Sequence, residues 1–544
     1  MTTASPAQRP RWLLPTFAGY RREWLAADIV GGLSAAAVVV PQAMAYATIA
    51  NLPVQVGLYT CIVPMLVYAL LGGSRAMSVS TTSTIATLTA TTLVSSGVAA
   101  NAGSADDALG SLMMLTLLVG AILLLCRLFT LGALVENISG ATLLGMKIGV
   151  GATVAVGQLP KLLGETDDFS GHGFIRSLVA VGEAFGSVNW PTVALSAASI
   201  ATLLALRRFA PKVPGTLIVV VGGILLVALS GLTDAGVDLI DPVPSGLPVP
   251  GLPNVAHLAA LVPGALAIAV MAFLESAAVA RGIRRTSEPQ IDSNQELFAT
   301  GAANVAGAFF TTMPAAGGFS QSAVNQSAGA KTQLSTLVTV AVAVLVALFL
   351  GPVLSMLPQA TLAAMVFVAV IGLIDVTELA RWARISPRDF WVAVAVAVIG
   401  LVAGLLPAVF LGVVVTLIMV LHELNIPKLQ IEDRDGAAIA IHLLRAMYTA
   451  NALENEQAIL RLARDEKVTA VVLDLERQDL ITITVLDTLT DLERELGELG
   501  VVLRIAALPE SAAAVARKTP WYQDLEARGR VHESVQEGLD AASH

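Results

Sequence analysis

The chain has 544 residues, of which 55% are apolar and only 13% are charged, and its mean hydropathy is +0.75. A soluble protein carries about a quarter charged residues, so this composition excludes a soluble globular protein and indicates repeated membrane crossing. The net charge of −9 disfavours a nucleic-acid partner, because such binding depends on basic surface. The two cysteines, Cys61 and Cys126, lie in apolar runs and the six histidines lack HExxH-like spacing, so we predict neither a disulfide framework nor a metal site.

An N-terminal segment, 1–24, has no signal-peptide core and is predicted to be cytoplasmic. Apolar runs long enough to cross a bilayer follow it, at 25–46, 53–72, 111–131, 139–159, 190–207, 213–231, 258–279, 333–351, 360–375, 389–405 and 407–422. Weaker, more polar runs lie at 80–97, 291–312 and 319–331. Together they predict an α-helical polytopic domain of about fourteen segments over residues 25–423.

Basic residues favour one orientation of these segments. Alternation from a cytoplasmic N-terminus places one set of cations inside: Arg9, Arg11, Arg21, Arg22, Arg75, Arg127, Arg207, Arg208, Lys212, Arg281, Arg284, Arg285, Arg381, Arg384 and Arg388. The predicted outer loops 101–110 and 232–257 contain no Lys or Arg, and only Lys161 disagrees. We therefore expect a multi-pass protein of the cell membrane (inner or plasma membrane) with both termini in the cytoplasm.

The tail from Lys428 differs in composition from the rest. It has 13 Lys and Arg against 21 Asp and Glu, whereas residues 1–427 have 19 against 20. "AAIAIHLL", "VTAVVLDLE" and "GVVLRIAAL" are typical of strands, and "NEQAILRLARDE" and "VLDTLTDLERELGEL" have helical spacing. Strands that alternate with helices predict a cytoplasmic α/β domain over residues 428–544.

Two pairs of short stretches indicate an internal repeat. "PQAMAYA" (41–47) resembles "LESAAVA" (274–280), and "VSTTS" (79–83) resembles "FSQSA" (319–323) at nearly the same offset. With about fourteen segments, this favours a seven-plus-seven inverted repeat, in which the halves mirror each other across the membrane plane.

Residues 78–93 and 317–329 are too polar and too short for lipid-facing spans. Irregular backbone at membrane depth is tolerated only where protein encloses it or it lines a cavity, so we interpret each as an extended stretch leading into a half-helix. Gly317 and Gly318 would permit the tight backbone. Two half-helix N-termini facing each other form an anion site that needs no basic side chain. The alternative is that the small residues only allow close helix packing.

Glu275 lies in an apolar run without a charged neighbour for more than fifteen residues upstream. A carboxylate there is costly and usually faces a water-filled cavity or a proton path, so Glu275 is a candidate for proton coupling. The structural alternative is an ion pair with Arg281 or Arg284, one or two turns further on.

Gln42 occupies the corresponding place in the first segment, after Pro41, and its amide can donate to an anion. Tyr46 shares its helix face and could form an aromatic wall. Alternatively, Gln42 only satisfies the backbone that Pro41 leaves unpaired. Residues 292–296, which open the ninth segment, are expected to form a capped helix start with a structural role.

These residues resemble a known family. "VVVPQAMAYATIANLPVQVGLYT", "GGSRAMSV", "FLESAAVARGI", "DSNQELFATGAANVAGAFF" and "GGFSQSAVNQSAGAKTQLS" resemble, in this order, the sulfate permease (SulP) family of anion transporters, relatives of prestin. The tail resembles the family's STAS domain. The resemblance implies a seven-plus-seven repeat with core and gate domains, an elevator motion of the core, and a homodimer.

The family's anion lies between the third and tenth segments. By position, the resemblance implies an anion site of Gln42, Tyr46, Thr81, Thr82, Phe319, Ser320 and Gln321. Members with Glu at the position of Glu275 resemble proton-coupled symporters, and relatives with Asp nearby can be sodium-coupled.

Two positions differ from the family pattern. Many relatives have Arg where this chain has Gln321, and without that charge a dianion should be held less strongly. The phosphorylatable serine of some STAS domains corresponds here to Ile483, between Thr482 and Thr484, so we expect a structural or docking role for the domain.

We therefore predict a secondary active transporter, a proton-coupled symporter of sulfate or another inorganic oxyanion. The alternatives are bicarbonate, chloride or dicarboxylate transport, sodium coupling, an uncoupled channel or exchanger, and a membrane sensor. No nucleophile–base pair, metal cluster or phosphate-binding Gly motif supports an enzyme, and no cofactor is expected beyond the coupling ion.

Overall fold

The structure is a computed structural model that describes residues 13–98, 105–132, 140–165, 174–211, 213–372, 374–403, 405–466 and 468–543. Of the predicted features, Arg9, Arg11, Lys212 and residues 101–104 of the loop 101–110 lie outside these residues. The chain forms two compact units, Met1–Val414 and Val415–His544.

The first half of the membrane unit begins after two short 3-10 turns. Its elements are α1 (Leu25–Ile49), α2 (Val54–Thr60), α3 (Val63–Leu71), β1 (Val79–Ser80), α4 (Ser83–Ser95), α5 (Ala105–Leu128), α6 (Gly140–Leu163), α7 (Phe174–Ala184), α8 (Trp190–Phe209) and α9 (Gly215–Ser230). The weak polar run 80–97 of the sequence becomes a two-residue strand followed by a half-helix.

The second half repeats this order. It contains α10 (Leu258–Gly282), α11 (Ser293–Ala308), β2 (Ala316–Gly317), α12 (Phe319–Ser327), α13 (Leu334–Phe349), α14 (Gly351–Leu354), α15 (Gln359–Ile371), α16 (Val376–Ile385), α17 (Pro387–Val402) and α18 (Leu405–Asn425). The strand followed by a half-helix recurs as β2 and α12, so the predicted seven-plus-seven repeat is confirmed.

The helices of this unit pack into two bundles. The core bundle consists of α1–α5 and α10–α13, in which α1 packs on α13 and α5 packs on α10 and α11. The gate bundle consists of α6–α9 and α15–α18, in which α6 packs on α15 and α17 and α8 packs on α15. Each bundle thus combines equivalent elements from both halves of the chain, as an inverted repeat requires.

Several helices differ from the predicted spans. The run 53–72 is broken at Cys61 and Ile62 into α2 and α3. Two amphipathic helices, α7 and α16, were not predicted because their polar faces keep them below the hydropathy of a span. Seven of the described helices are long and apolar enough to cross a membrane by themselves, and others, such as α9 and α13, are shorter.

Lys161, which disagreed with the predicted orientation, lies near the end of α6. Its ammonium is 3.4 Å from the backbone oxygen of Thr48, in the last turn of α1. A cation at a helix C-terminus interacts favourably with the carbonyl groups that have no partner within the helix. This local contact accounts for a lysine at that end of the bundle.

The second unit is an α/β domain with a five-stranded sheet. The sheet has the order β3 (Leu429–Asp435), β4 (Ala438–Leu443), β5 (Ala470–Asp474), β6 (Val502–Ala506) and β7 (Val531–His532). β3 is antiparallel to β4, and the other pairs are parallel. The predicted strands correspond to β4, β5 and β6, whereas the exposed edge strand β3, with the sequence LQIEDRD, was not predicted.

Helices cover both faces of this sheet. One core lies beneath α19 (Ala452–Glu466), α20 (Ile483–Glu498), α21 (Glu510–Ala516) and α22 (Pro520–Ala527). A smaller core lies beneath α23 (Val535–Ser543). Thr482 caps α20 by accepting a hydrogen bond from the Val485 N–H at 3.4 Å, and Ile483 is 78% exposed. The residue that the resemblance aligns with the phosphoacceptor of some STAS domains is thus a solvent-exposed isoleucine.

Candidate functional site

The two polar half-helices meet through their strands. β1 pairs antiparallel with β2, with Val79 opposite Gly317 and Ser80 opposite Ala316. The Gly318 N–H extends the pairing by donating to the Ser78 oxygen at 3.1 Å. The Ser78 N–H in turn donates to the Ser322 hydroxyl at 2.9 Å. Since α4 and α12 begin directly after these strands, their N-termini lie close together, as the sequence predicted.

Helix α10 holds this strand pair beside Glu275. The Ser276 hydroxyl accepts a hydrogen bond from the Gly317 N–H at 2.9 Å and donates to the Ala272 oxygen at 2.6 Å. Because Ser276 follows Glu275 directly, the bond that fixes β2 also fixes the Glu275 carboxylate relative to both helix N-termini.

The glycines of this crossing are required for a different reason than predicted. Gly318 has φ −91° and ψ 125°, which any residue can adopt. A Cβ on Gly317, however, would lie 2.5 Å from the Met77 sulfur and 3.0 Å from the Ser276 Cα. The sequence requires glycine because a strand, a helix and a methionine approach closely here.

A cavity of about 1330 Å³ lies in front of the two N-termini. Core residues form one wall, and α6, α8 and α15 of the gate bundle form the other. All of the sequence-predicted residues line it: Gln42, Tyr46, Thr81, Thr82, Glu275, Phe319, Ser320 and Gln321.

Gln42 and Ser320 are in direct contact at the cavity wall. The Ser320 hydroxyl donates to the Gln42 Oε1 at 3.1 Å. The amide nitrogen of Gln42 therefore keeps two donors for a ligand, and its carbonyl end is held by α12 instead of by backbone near Pro41. This geometry favours the binding role of Gln42 over the structural alternative.

Thr81 and the N-terminus of α12 supply further polar groups. The Thr81 residue is 1% exposed, and among the described residues its hydroxyl has no hydrogen-bond partner. Such groups in native structures usually have an unseen partner, such as a ligand or a water molecule. Gly318, the N-cap of α12, provides no side-chain cap, so the first N–H groups of α12 remain free for an anion.

The two aromatic residues differ in position. Tyr46 is 7% exposed, with its hydroxyl beside Ser83 in the first turn of α4. Phe319 is 55% exposed, and its ring lies next to Gly282, where an added Cβ would be 3.1 Å from the ring. Tyr46 thus forms part of the inner wall, and Phe319 lies towards the end of α10.

Glu275 contacts the first helix of the pair, not an arginine. The Thr82 hydroxyl donates to the Glu275 Oε2 at 2.8 Å and accepts from the Ile85 N–H at 3.3 Å, so one threonine caps α4 and binds the carboxylate. The Arg284 guanidinium donates to the Glu288 oxygen at 2.5 Å, and Arg281 donates to the Ser293 hydroxyl at 3.1 Å. The carboxylate faces the cavity, as expected for a coupling residue.

The amide of Gln321 turns towards β1. Gln321 is 2% exposed. Its amide nitrogen donates to the backbone oxygen of Ser78 at 3.2 Å and to the Ser80 hydroxyl at 3.0 Å. Both donors are occupied by β1, so Gln321 braces the strand that carries Thr81 and Thr82.

The cavity also contains basic side chains, which the sequence analysis did not place at the site. Lys147 of α6 and Arg207 of α8 both line the cavity. Lys147 could have been found by the argument that identified Glu275, since it is a lone charge in the run ATLLGMKIGVG. Arg207 was assigned only to the predicted cytoplasmic boundary.

The predicted structural role of residues 292–296 agrees with their contacts. Asp292 caps α11 by accepting from the Asn294 N–H at 2.9 Å. Glu296 is fully buried and accepts from the Tyr68 hydroxyl at 2.7 Å and from the Gly73 N–H at 3.0 Å. These bonds join α11 to the end of α3, away from the cavity.

Comparisons with known proteins agree with this architecture. The profile of the sulfate permease family matches residues 25–396, and that of the STAS domain matches residues 428–538. A probable sulfate transporter of Mycobacterium tuberculosis is 33% identical over 518 residues, which is 91% of each chain. The chloroplastic sulfate transporter 4.1 of Arabidopsis thaliana is 31% identical over 421 residues, or 76% of this chain and 60% of that protein.

Solved structures share the fold at lower identity. The murine solute carrier 26 family member A9 anion transporter, in its inward-facing state, matches with a TM-score of 0.86 at 20% identity and covers 99% of this chain and 96% of its own. The transmembrane domain of the cyanobacterial bicarbonate transporter BicA matches with a TM-score of 0.64 at 22% identity, and the match covers 72% of this chain and 98% of that domain. This chain thus belongs to the sulfate permease family, whose members are anion transporters and not enzymes, and it carries a C-terminal STAS domain.

Proposed function

We propose that the protein is a proton-coupled symporter of sulfate that moves its core bundle against its gate bundle. The observation that carries this proposal is the bond between Glu275 and Thr82, because it places a titratable carboxylate against the cap of one of the two helices that face the cavity. An uncoupled pathway has no use for such a carboxylate, which is costly at this depth.

The coupling follows from the charges at the site. Ionised Glu275 is itself an anion beside the N-terminus of α4, so it competes with sulfate for the same positive dipole. A full negative charge about 5 Å from another costs roughly 3 kcal/mol at an effective dielectric constant of about 20, and a dianion doubles that cost. Protonation of Glu275 removes the repulsion, and sulfate binding must therefore favour protonation to the same extent.

The division into bundles supports the proposed elevator motion. Gln42, Thr81, Thr82, Glu275 and Ser320 all belong to the core bundle, so they can move together with the anion. Contacts between the bundles include a hydrogen bond from the Thr216 hydroxyl to the Ala37 oxygen at 3.4 Å. Weak contacts of this kind can be exchanged during sliding.

We also propose that both termini lie in the cytoplasm of the cell and that the protein is a homodimer. These proposals rest on the distribution of basic residues and on the family resemblance. Light scattering of the purified full chain in detergent tests the dimer, since a monomeric mass at micromolar concentration contradicts it.

The decisive experiment measures labelled sulfate uptake into proteoliposomes under an inward proton gradient, with bicarbonate and a sodium gradient in parallel. We expect protons to drive sulfate accumulation. Glu275→Gln should abolish this accumulation while sulfate–sulfate exchange persists, and Glu183→Gln, at an exposed carboxylate of α7, is the matched control.

The alternative outcomes are specific. Proton-driven accumulation in Glu275→Gln contradicts the coupling assignment. Uptake of bicarbonate but not sulfate rejects the substrate, and accumulation driven by sodium alone rejects the coupling ion. If neither gradient drives accumulation, the protein is an uncoupled channel or exchanger, or a sensor.

A further inference from the structure

Lys147 lies in the gate bundle, in the third turn of α6, and its side chain lines the cavity. It is the counterpart, in the opposite wall, of the lone carboxylate Glu275 in α10. Two of the membrane unit's lone charges therefore face one space, and each comes from a different bundle.

The other charges that line the cavity are Arg207, Asp375 and Glu378. Asp375 accepts from the Glu378 N–H at 2.9 Å and caps α16, and Glu378 forms an ion pair with Arg381 at 3.1 Å. Arg207 lies near the α15–α16 connection, where a Cβ on Gly372 would be 3.5 Å from its Nη1. These three groups therefore belong to the end of the cavity at α16.

Lys147 and Glu275 remain as the pair deeper in the cavity. Among the residues that the structure describes, the Lys147 ammonium has no hydrogen bond or ion pair, and it lines the same cavity as the Glu275 carboxylate. Lys147 is half-buried at the wall of the cavity, and a cation within a membrane-spanning bundle is stabilised when an anion compensates it. The available anions are ionised Glu275 and the transported substrate.

We propose that Lys147 is the gate-side ligand of the transported anion, and that it is the counter-ion of ionised Glu275 when the cavity is empty. The proposal rests on the proposed function. It assigns the positively charged side chain of the site to α6, because Gln321 of α12 is uncharged and its amide donates to β1. The bound anion then contacts core and gate together, and protonation of Glu275 releases Lys147 to the anion.

This arrangement makes a quantitative prediction about valence. The Coulomb energy between Lys147 and the substrate is proportional to the substrate's charge. Removal of the lysine must therefore weaken the binding of a dianion twice as much, on a logarithmic scale, as the binding of a monoanion. If Lys147→Met raises the inhibition constant of a monovalent competitor such as nitrate about 10-fold, it should raise the KM for sulfate about 100-fold. Lys147→Arg should keep both within about threefold, because it retains the charge.

Lys161→Met is the matched control, because it removes a lysine from the other end of the same helix. We expect it to leave the KM for sulfate unchanged. A second readout is the pH at which uptake is half maximal. Without its counter-ion, Glu275 should take up its proton at higher pH, so this midpoint should rise in Lys147→Met. Uptake should no longer depend on pH in Glu275→Gln or in the variant that combines Glu275→Gln with Lys147→Met.

Restoration of the charge separates binding from folding. In a background with Cys61→Ala and Cys126→Ala, Lys147→Cys is treated with aminoethyl methanethiosulfonate. The introduced thiolate attacks the reagent's sulfur, a mixed disulfide forms and methanesulfinate leaves, which adds an ammonium group. We expect the KM for sulfate to return to within about threefold of the background value, whereas the neutral methyl reagent should leave it raised.

The outcomes are separable from those for the proposed function. If the wild-type protein takes up no sulfate, the proposed function fails, and the charge test is then read from the equilibrium dissociation constants of sulfate and nitrate for the purified wild-type and Lys147→Met proteins. If wild-type uptake is normal but Lys147→Met keeps its KM, or shifts sulfate and nitrate equally, or if both thiol reagents act alike, Lys147 is not an anion ligand.

Discussion

Replacing Gly317 by alanine tests whether the β1–β2 crossing sets the geometry of the site. The new Cβ would lie 2.5 Å from the Met77 sulfur and 3.0 Å from the Ser276 Cα. Met77 can change its rotamer, but the Cα belongs to α10 and cannot move alone. We expect overpacking to cost about 1–3 kcal/mol and to displace β2 from α10.

The displacement should affect transport more than stability. Ser276 is bonded to Gly317 and adjacent to Glu275, so any shift misaligns the carboxylate with both helix N-termini. We expect the apparent Tm in detergent to fall by several degrees and sulfate uptake to fall by about 10-fold or more. Gly222→Ala, at a glycine of α9 with nothing within 4 Å, is the control and should keep both values. Wild-type uptake by Gly317→Ala would refute the idea that this contact positions the site.

Two further predictions concern the cavity and the STAS domain. Gln42→Ala should raise the KM for sulfate about 10-fold, because it removes a hydrogen-bond donor. It should leave the pH dependence of uptake unchanged, because it removes no titratable group. An unchanged KM would show that Gln42 does not bind the anion. Burial and the neighbouring Arg504 hold the pKa of His532 below its usual value, and Arg504 donates to the His532 Nε2 at 3.1 Å. The unfolded chain therefore binds this proton more readily, so the stability of the α/β unit should fall as pH drops below about 6.5, and calorimetry of the full chain should show a weaker pH dependence in His532→Asn.

Much of this architecture could be predicted because a bilayer constrains sequence strongly. Hydropathy located the spans, and the requirement that irregular backbone be enclosed identified β1, β2 and their half-helices. Local rules failed where a helix was neither apolar nor interior. The amphipathic α7 and α16 have polar faces, and the exposed edge strand β3 is mostly charged, so hydropathy and alternation gave no signal for either.

The sequence identified which types of residue form the site, but not the direction in which each side chain points. Gln42 and Glu275 were identified as polar groups in apolar runs and Thr82 through the family resemblance, and each lines the cavity. Gln321 has the same type of side chain as Gln42, yet its amide turns towards β1, because the strand offers two acceptors at hydrogen-bonding distance. Lys147, a lone charge in the apolar run of α6, carried the same local signal as Glu275, but its place at the cavity depends on which helix of the gate bundle lies opposite α10, and that is set by tertiary packing.

The pairing of β1 with β2 also has a consequence for biosynthesis. Val79 and Gly317 are about 240 residues apart, so at 5–20 residues per second the ribosome reaches the second strand roughly 10–50 s after the first. During that interval the polar segment before α4 is in or near the bilayer without the partner that satisfies its backbone. The nascent first half must therefore remain near the translocon or be shielded by other segments of the chain. A chain truncated before residue 316 lacks β2 and cannot form the β1–β2 pair.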